Sequence, residues 1–266
     1  MTHTPRSRNV LACRQQLRPG RALLVAATFL CLPASAVSQT EGEYLYNVTM
    51  VRAAPGHFSD LISALEESLA VHEDAGDRPP FWIRHSQGDQ WDFMLIYPLG
   101  DLPSHFDEER SRRRTSVWAE GPGRALSERI EAFTSYEEEW FARSVPIDEM
   151  TRRFDGMGLF HVEMFAGLPG KRRELLQQRR MENGYYEHLA RQQNVIFVRE
   201  AGSNWDAMTI GFYESLQTYA QAGVRYSADE QDEAARVAGF EGVGDISPYL
   251  RSLLSYHHDT LAVRVR

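Results

Sequence analysis

Cysteine is almost absent. The 266-residue chain has two, Cys13 and Cys31, and both fall in its first 36 residues. The remainder therefore has no disulfide and no cysteine nucleophile, and thiolate ligation of zinc, iron–sulfur clusters or haem is excluded. No P-loop, GxGxxG or nucleophile-elbow motif is present, so nucleotide cofactors and serine-hydrolase chemistry find no support. Acidic residues are missing from positions 1–36, where Arg6, Arg8, Arg14, Arg18 and Arg21 carry all the charge. They precede the apolar run Ala22–Leu32, then Pro33 and the small-x-small triplet Ala34-Ser35-Ala36. That order predicts a cleaved signal peptide over 1–36 and a protein exported to the periplasm or beyond. The apolar run is too short for ~30 Å of hydrocarbon, and no later stretch is apolar enough, so no integral span is expected after cleavage. Basic charge is then scarce, at 24 residues against 37 acidic ones after residue 36. So acidic a body repels nucleic acid and anionic lipid.

What remains is ordinary for a globular protein, 42% hydrophobic and 25% charged. Its strongest feature is a repeat. A shift of 114 residues aligns 44–102 with 158–216 without a gap, and 13 of the 59 positions are identical. Leu45, Val48 and Met50 meet Leu159, Val162 and Met164. Pro55-Gly56 meets Pro169-Gly170, and Trp91-Asp92 meets Trp205-Asp206. Ser135-Tyr136 meets Ser255-Tyr256 at a shift of 120. Repeats of this kind reset the fold expectation.

Each copy reads alike. Residues 44–52 alternate and are rich in β-branched and aromatic types, predicting a strand. Phe58, Leu61, Ile62, Leu65 and Leu69 recur at helical spacing. Residues 81–86 and 91–97 form two strands around a hairpin turn, polar helix follows over about 102–135, and 138–145 is a weak fourth strand. The second copy predicts strands at 158–166, 194–200, 205–213 and 259–265. This is the ferredoxin-like order. The expected fold class is α+β: two tandem ferredoxin-like βαββαβ repeats, 37–146 and 158–266 joined by a linker at 147–157, whose sheets pack as an intramolecular α+β barrel. Strand order, duplication and helix placement together resemble the dimeric α+β barrel superfamily. That superfamily includes antibiotic-biosynthesis-type monooxygenases, chlorite-dismutase-like haem proteins and NIPSNAP-type proteins. A homodimer is compatible with the same architecture.

Strand alternation separates two faces. The greasier set, with Tyr46, Val48, Met50, Phe160, Val162 and Met164, is expected under the helices. The opposite set is expected in the sheet–sheet interior: Asn47, Trp82, Arg84, Trp91, His161, Glu163, Glu200 and Trp205. Few charges among aromatics describe a ligand pocket, with Trp82, Arg84, Trp205 and Glu200 as binding residues. Its expected occupant is a hydrophobic or aromatic small molecule. His161 stands where the first copy has Asn47, and Glu163 follows on the same face, so His161 is a candidate base oriented by a carboxylate or an axial haem ligand. The superfamily resemblance implies a second candidate set. Some cofactor-independent members and haem-degrading relatives use Asn, Trp and His, and Asn47, Trp91 and His105 follow that order.

His257-His258-Asp259 has a metal-binding composition, but adjacent strand residues point to opposite faces and no partner is evident, so no metal site is expected. No cofactor is expected either. The basic runs Arg110–Arg114 and Lys171–Arg173, and Glu137-Glu138-Glu139, read as solvated faces. Three functions follow: an exported small-molecule-binding barrel; a cofactor-independent monooxygenase or haem-dependent oxidoreductase; or a non-enzymatic protein with a filled barrel.

Overall fold

A computed structural model describes residues 42–265 apart from Gly88 and Pro122. The leader expected over 1–36 lies outside the described residues. The first repeat runs β1 (Tyr44–Ala53), α1 (Phe58–Asp74), β2 (Phe81–Gln87), β3 (Phe93–Gly100), α2 (Leu102–His105), α3 (Glu108–Trp118), α4 (Gly123–Phe133) and β4 (Thr134–Ser144). After α5 (Ile147–Phe154) the second repeat runs β5 (Leu159–Gly167), α6 (Arg172–His188), β6 (Val195–Gly202), β7 (Ala207–Tyr213), α7 (Leu216–Gln221), α8 (Ala228–Val237), α9 (Ile246–Leu253) and β8 (Leu254–Arg264). No helix among the described residues is long and apolar enough to cross a membrane.

The eight strands close into a barrel in the order β1-β3-β2-β8-β5-β7-β6-β4. Two antiparallel seams, β2–β8 and β4–β6, join the repeats within one chain. The repeats keep equivalent registers: Thr49 lies opposite Glu139 on β1–β4, and Glu163 opposite Asp259 on β5–β8. The recurring Trp-Asp pairs are structural. Asp92 Oδ2 accepts from Ala53 N and Asp206 Oδ2 from Gly167 N, both at 2.9 Å, clamping the end of each first strand.

Both closing strands start earlier than their sequence suggests, at Thr134 and Leu254 instead of about 138 and 259. Their early residues are charged or polar, yet they pair along one edge with β1 and β5, and their outward side chains reach solvent. The expected linker 147–157 holds α5, whose Met150 and Phe154 are buried in the barrel core.

The two faces are exchanged relative to the sequence expectation. The barrel interior is packed with Tyr46, Val48, Met50, Met94 and Ile96 from one repeat and Phe160, Val162, Met164, Met208 and Ile210 from the other. The set expected inside lies mostly on the outer face, toward the helices: Val51, Trp82, Phe93 and Leu95 pack with Leu61 and Leu65 of α1. Phe165 and Ala207 pack with Leu175 of α6 and Leu250 of α9. Both faces are buried, so alternation alone cannot rank them. The interior of a closed eight-stranded barrel is just wide enough for side chains to fill and takes the purely apolar set. The helices cover the outside incompletely, and there polar side chains keep access to water.

Candidate functional site

The outer face of the first repeat carries a cavity of about 900 Å³ between the sheet and helices α1, α3 and α4. Its sheet wall is Asn47, Thr49, Val51, Leu95, Tyr97 and Phe141. Its helix wall includes Leu65, Ser68 and His72 of α1, with Arg114 and Trp118 of α3. Glu137 and Glu139 stand at the exposed rim. Thr49 Oγ1 donates to Asn47 Oδ1 at 2.8 Å, which leaves the Asn47 amide NH₂ as a donor at the wall.

His105 ends α2, a single turn started by Asp101, whose carboxylate accepts from Ser104 N at 2.8 Å. The ring is buried against Phe106 and Phe141. Arg114 Nη1 lies 3.3 Å from His105 Nε2, so the guanidinium donates and the imidazole proton sits on Nδ1, which is buried without a partner. Burial, with Arg114 and Arg110 nearby, pushes the His105 pKa down to about 4, and the ring is neutral at pH 7.

Asp77 organises this wall. Its Oδ1 accepts from Arg110 Nε and Nη2 at 3.1 and 2.8 Å, and its Oδ2 lies 3.4 Å from Arg114 Nε. Burial raises its pKa, but His72, Arg110 and Arg114 outweigh burial and hold it at about 2. The basic run thus divides. Arg112 pairs with Glu108 on the surface, as expected, whereas Arg113 Nε donates to Ala75 O at 2.9 Å and Arg110 and Arg114 reach Asp77. Burial, then repulsion from Glu139 and Glu131, raises the pKa of Glu137. Tyr97 is likewise raised by burial and by Glu139 and Glu137.

The equivalent space in the second repeat is smaller: a cavity of about 530 Å³ remains at the end lined by Arg191, Gln192, Phe212 and Tyr213, and larger, charged side chains stand along the helix wall. By the 114-residue shift, Leu65, Ser68 and His72 become Arg179, Glu182 and Tyr186. Arg179 is 2% exposed, lies 4.6 Å over the Phe165 ring, and pairs with Glu182 and, at 3.5 Å, with Glu163. Tyr186 donates to Glu182 at 2.6 Å. His161 Nε2 donates to Asp259 Oδ1 at 2.7 Å. Burial opposes charge on His161, but Asp259 and Glu163 outweigh it and raise its pKa. Burial would raise Glu163, yet His257, Arg179 and His161 hold it well below the usual range. The orienting carboxylate of His161 is thus Asp259, supplied by β8, rather than Glu163. An axial haem role for His161 does not fit these residues. The outer face beside it carries the buried, ion-paired Arg179 and Glu182, which leaves no apolar surface for a porphyrin.

The other expected residues scatter. Trp91 and Trp205 are in the barrel core. Trp82 lies under α1, Arg84 is exposed, and Glu200 pairs at the surface with Arg143 at 2.7 Å. Of the Asn–Trp–His set, Asn47 and His105 share the cavity, and the tryptophan beside them is Trp118, not Trp91. Trp118 was visible as the one aromatic in the charged helix 108–118, and Arg110 and Arg114 as its inward i, i+4 pair. Glu137 and Glu139 line the cavity rim, whereas Glu138 meets Tyr136 at 2.5 Å.

A closed barrel of two βαββαβ repeats, with helices outside and a cavity beneath one helix layer, is the dimeric α+β barrel fold. Among solved structures, the chain is similar to an anthrone oxidase-like protein at 13% identity and a TM-score of 0.53, covering 86% of this chain and 94% of that one. It is also similar to a monooxygenase-like protein from Fusobacterium nucleatum subsp. nucleatum at 8% identity and a TM-score of 0.50, covering 85% and 94%. A chlorite dismutase variant from Candidatus Nitrospira defluvii matches at 11% identity and a TM-score of 0.48, over 85% and 92%. At these identities the likeness is one of fold. No protein-family model and no curated protein matches the sequence.

Proposed function

We propose that this is an exported protein that binds a planar aromatic small molecule in the helix–sheet cavity of its first repeat. The export part rests on the arginine-rich leader and its small-residue cleavage pattern. The binding part is carried by one observation. Where the first copy has Leu65, Ser68 and His72 the second has Arg179, Glu182 and Tyr186, and about 900 Å³ is open in the first against about 530 Å³ in the second. Val51, Leu95, Phe141 and Trp118 offer apolar surface, and the Asn47 amide and Arg114 offer donors. A few polar groups converging on an apolar concavity are the usual composition of a ligand site.

A second reading is cofactor-independent oxygenation in the same cavity, favoured by Asn47 and His105 lining it together and by the fold shared with an anthrone oxidase-like protein. Anthrone then serves as probe for both readings. Residues 37–266 are titrated with anthrone without oxygen, following tryptophan fluorescence. Saturable binding at one site is expected. Leu65→Arg, which copies Arg179 of the second repeat, should weaken binding at least tenfold with an unchanged circular dichroism spectrum. Equal binding by that variant, or no saturation with anthrone or other planar phenols, overturns the site. Admitting dioxygen tests the second reading. One oxygen atom becomes the new carbonyl, and the other leaves as water with the two methylene hydrogens. Binding without oxygen uptake leaves a carrier and refutes the oxygenase.

A further inference from the structure

In the second repeat, β5 and β8 bring together side chains that the ligand cavity of the first does not use. Glu163 and Asp259 face each other across the strand pair, and His161 and His257 lie two residues along on the same outer face. One atom each of His161, Glu163 and Asp259 lies within 4.8 Å of the others. We propose that His161, Glu163 and Asp259 form a binding site for a divalent transition-metal ion, with His257 orienting Glu163.

The donor set is one imidazole and two carboxylates, which suits zinc, manganese or ferrous iron. A zinc ion sits ~2.0–2.2 Å from such atoms, so its ligand atoms are ~3–4 Å apart. The His161 Nε2–Asp259 Oδ1 distance of 2.7 Å would open by a few tenths of an ångström to admit the ion, and Asp259, the one exposed member, is free to turn. The supporting contacts are already in place, as in metal sites whose ligands are held by outer hydrogen bonds. Thr209 Oγ1 donates to Glu163 Oε2 at 3.1 Å, His257 Nε2 lies 3.6 Å from Glu163 Oε1, and the His161 ring packs on Tyr219 with centroids 5.5 Å apart.

Acidic side chains dominate this face: Glu163 and Glu182 share the buried Arg179, and Asp259 adds a third carboxylate beside His161. A divalent cation is attracted to such a group. The duplication supplies an independent argument. The first repeat has Asn47 and Thr49 where the second has His161 and Glu163, and Glu139 where it has Asp259. Two poor ligands have both become good ones, opposite a carboxylate kept in both copies.

The test is isothermal titration of chelator-treated full chain with Zn²⁺, and separately with Mn²⁺. One ion per chain should bind, with affinity reduced at least tenfold in Asp259→Asn and in His161→Ala. Asp259 is exposed, so its variant keeps the fold, which circular dichroism checks. His258→Ala should bind as the parent does, because His258 faces the other way, toward Asp89 at 2.7 Å. Absence of saturable binding of either ion overturns the site. So does binding that survives both ligand variants, or binding lost with His258→Ala.

Discussion

Single residues here act through what surrounds them. Gly202 ends β6 at φ +100°, and an added Cβ would lie 2.8 Å from Trp140 Cα across the β4–β6 seam. Left-handed backbone and a clash with main chain both oppose a side chain. Gly202→Ala should therefore cost about 2–4 kcal/mol, read as a lower urea midpoint at unchanged m-value. His105 governs pH dependence instead. Its folded pKa of about 4 is below the unfolded value of ~6.5, so its contribution to stability is complete above pH 6.5. As the pH falls from 6.5 toward 4 the unfolded chain takes up a proton that the folded chain refuses, and stability drops by roughly 3 kcal/mol at most. In His105→Gln, the loss of unfolding free energy between pH 6.5 and 4 should shrink correspondingly. An identical slope in both proteins would contradict the assigned burial of charge.

At the scale of elements, much of the fold is legible in the sequence. The 114-residue shift, the Pro-Gly starts of α1 and α6 and the Trp-Asp starts of β3 and β7 place most strands and the two long helices. What the sequence hides is sidedness. Tyr46 and Leu45 are equally buried, one against the barrel axis and the other outside it, so burial preference cannot say which way β1 faces. The candidate site was legible in its components only. Asn47 and His105 are singled out by type and order, but Trp118, Arg114 and Phe141 reach the cavity from α3 and β4, elements whose packing no local pattern records. The histidine–carboxylate cluster is hidden for a related reason. Asp259 looks isolated until β8 is laid beside β5, and that pairing spans 98 residues.

On the scale of the whole barrel, the two repeats share one interior. To it α5 adds Met150 and Phe154, and neither repeat can close a barrel alone. Unfolding should be a single cooperative transition in calorimetry, with equal calorimetric and van't Hoff enthalpies despite the length. Two resolved transitions would mean that the seams are weaker than their hydrogen bonding implies. The covalent joining of the two halves has a further consequence. In a pair of identical chains every substitution occurs twice, so a change that improves one site is imposed on its mate. Here a change at position 179 leaves position 65 alone. One half could exchange an open space for charge while the other kept its room, and each could be selected for a separate task without a second gene.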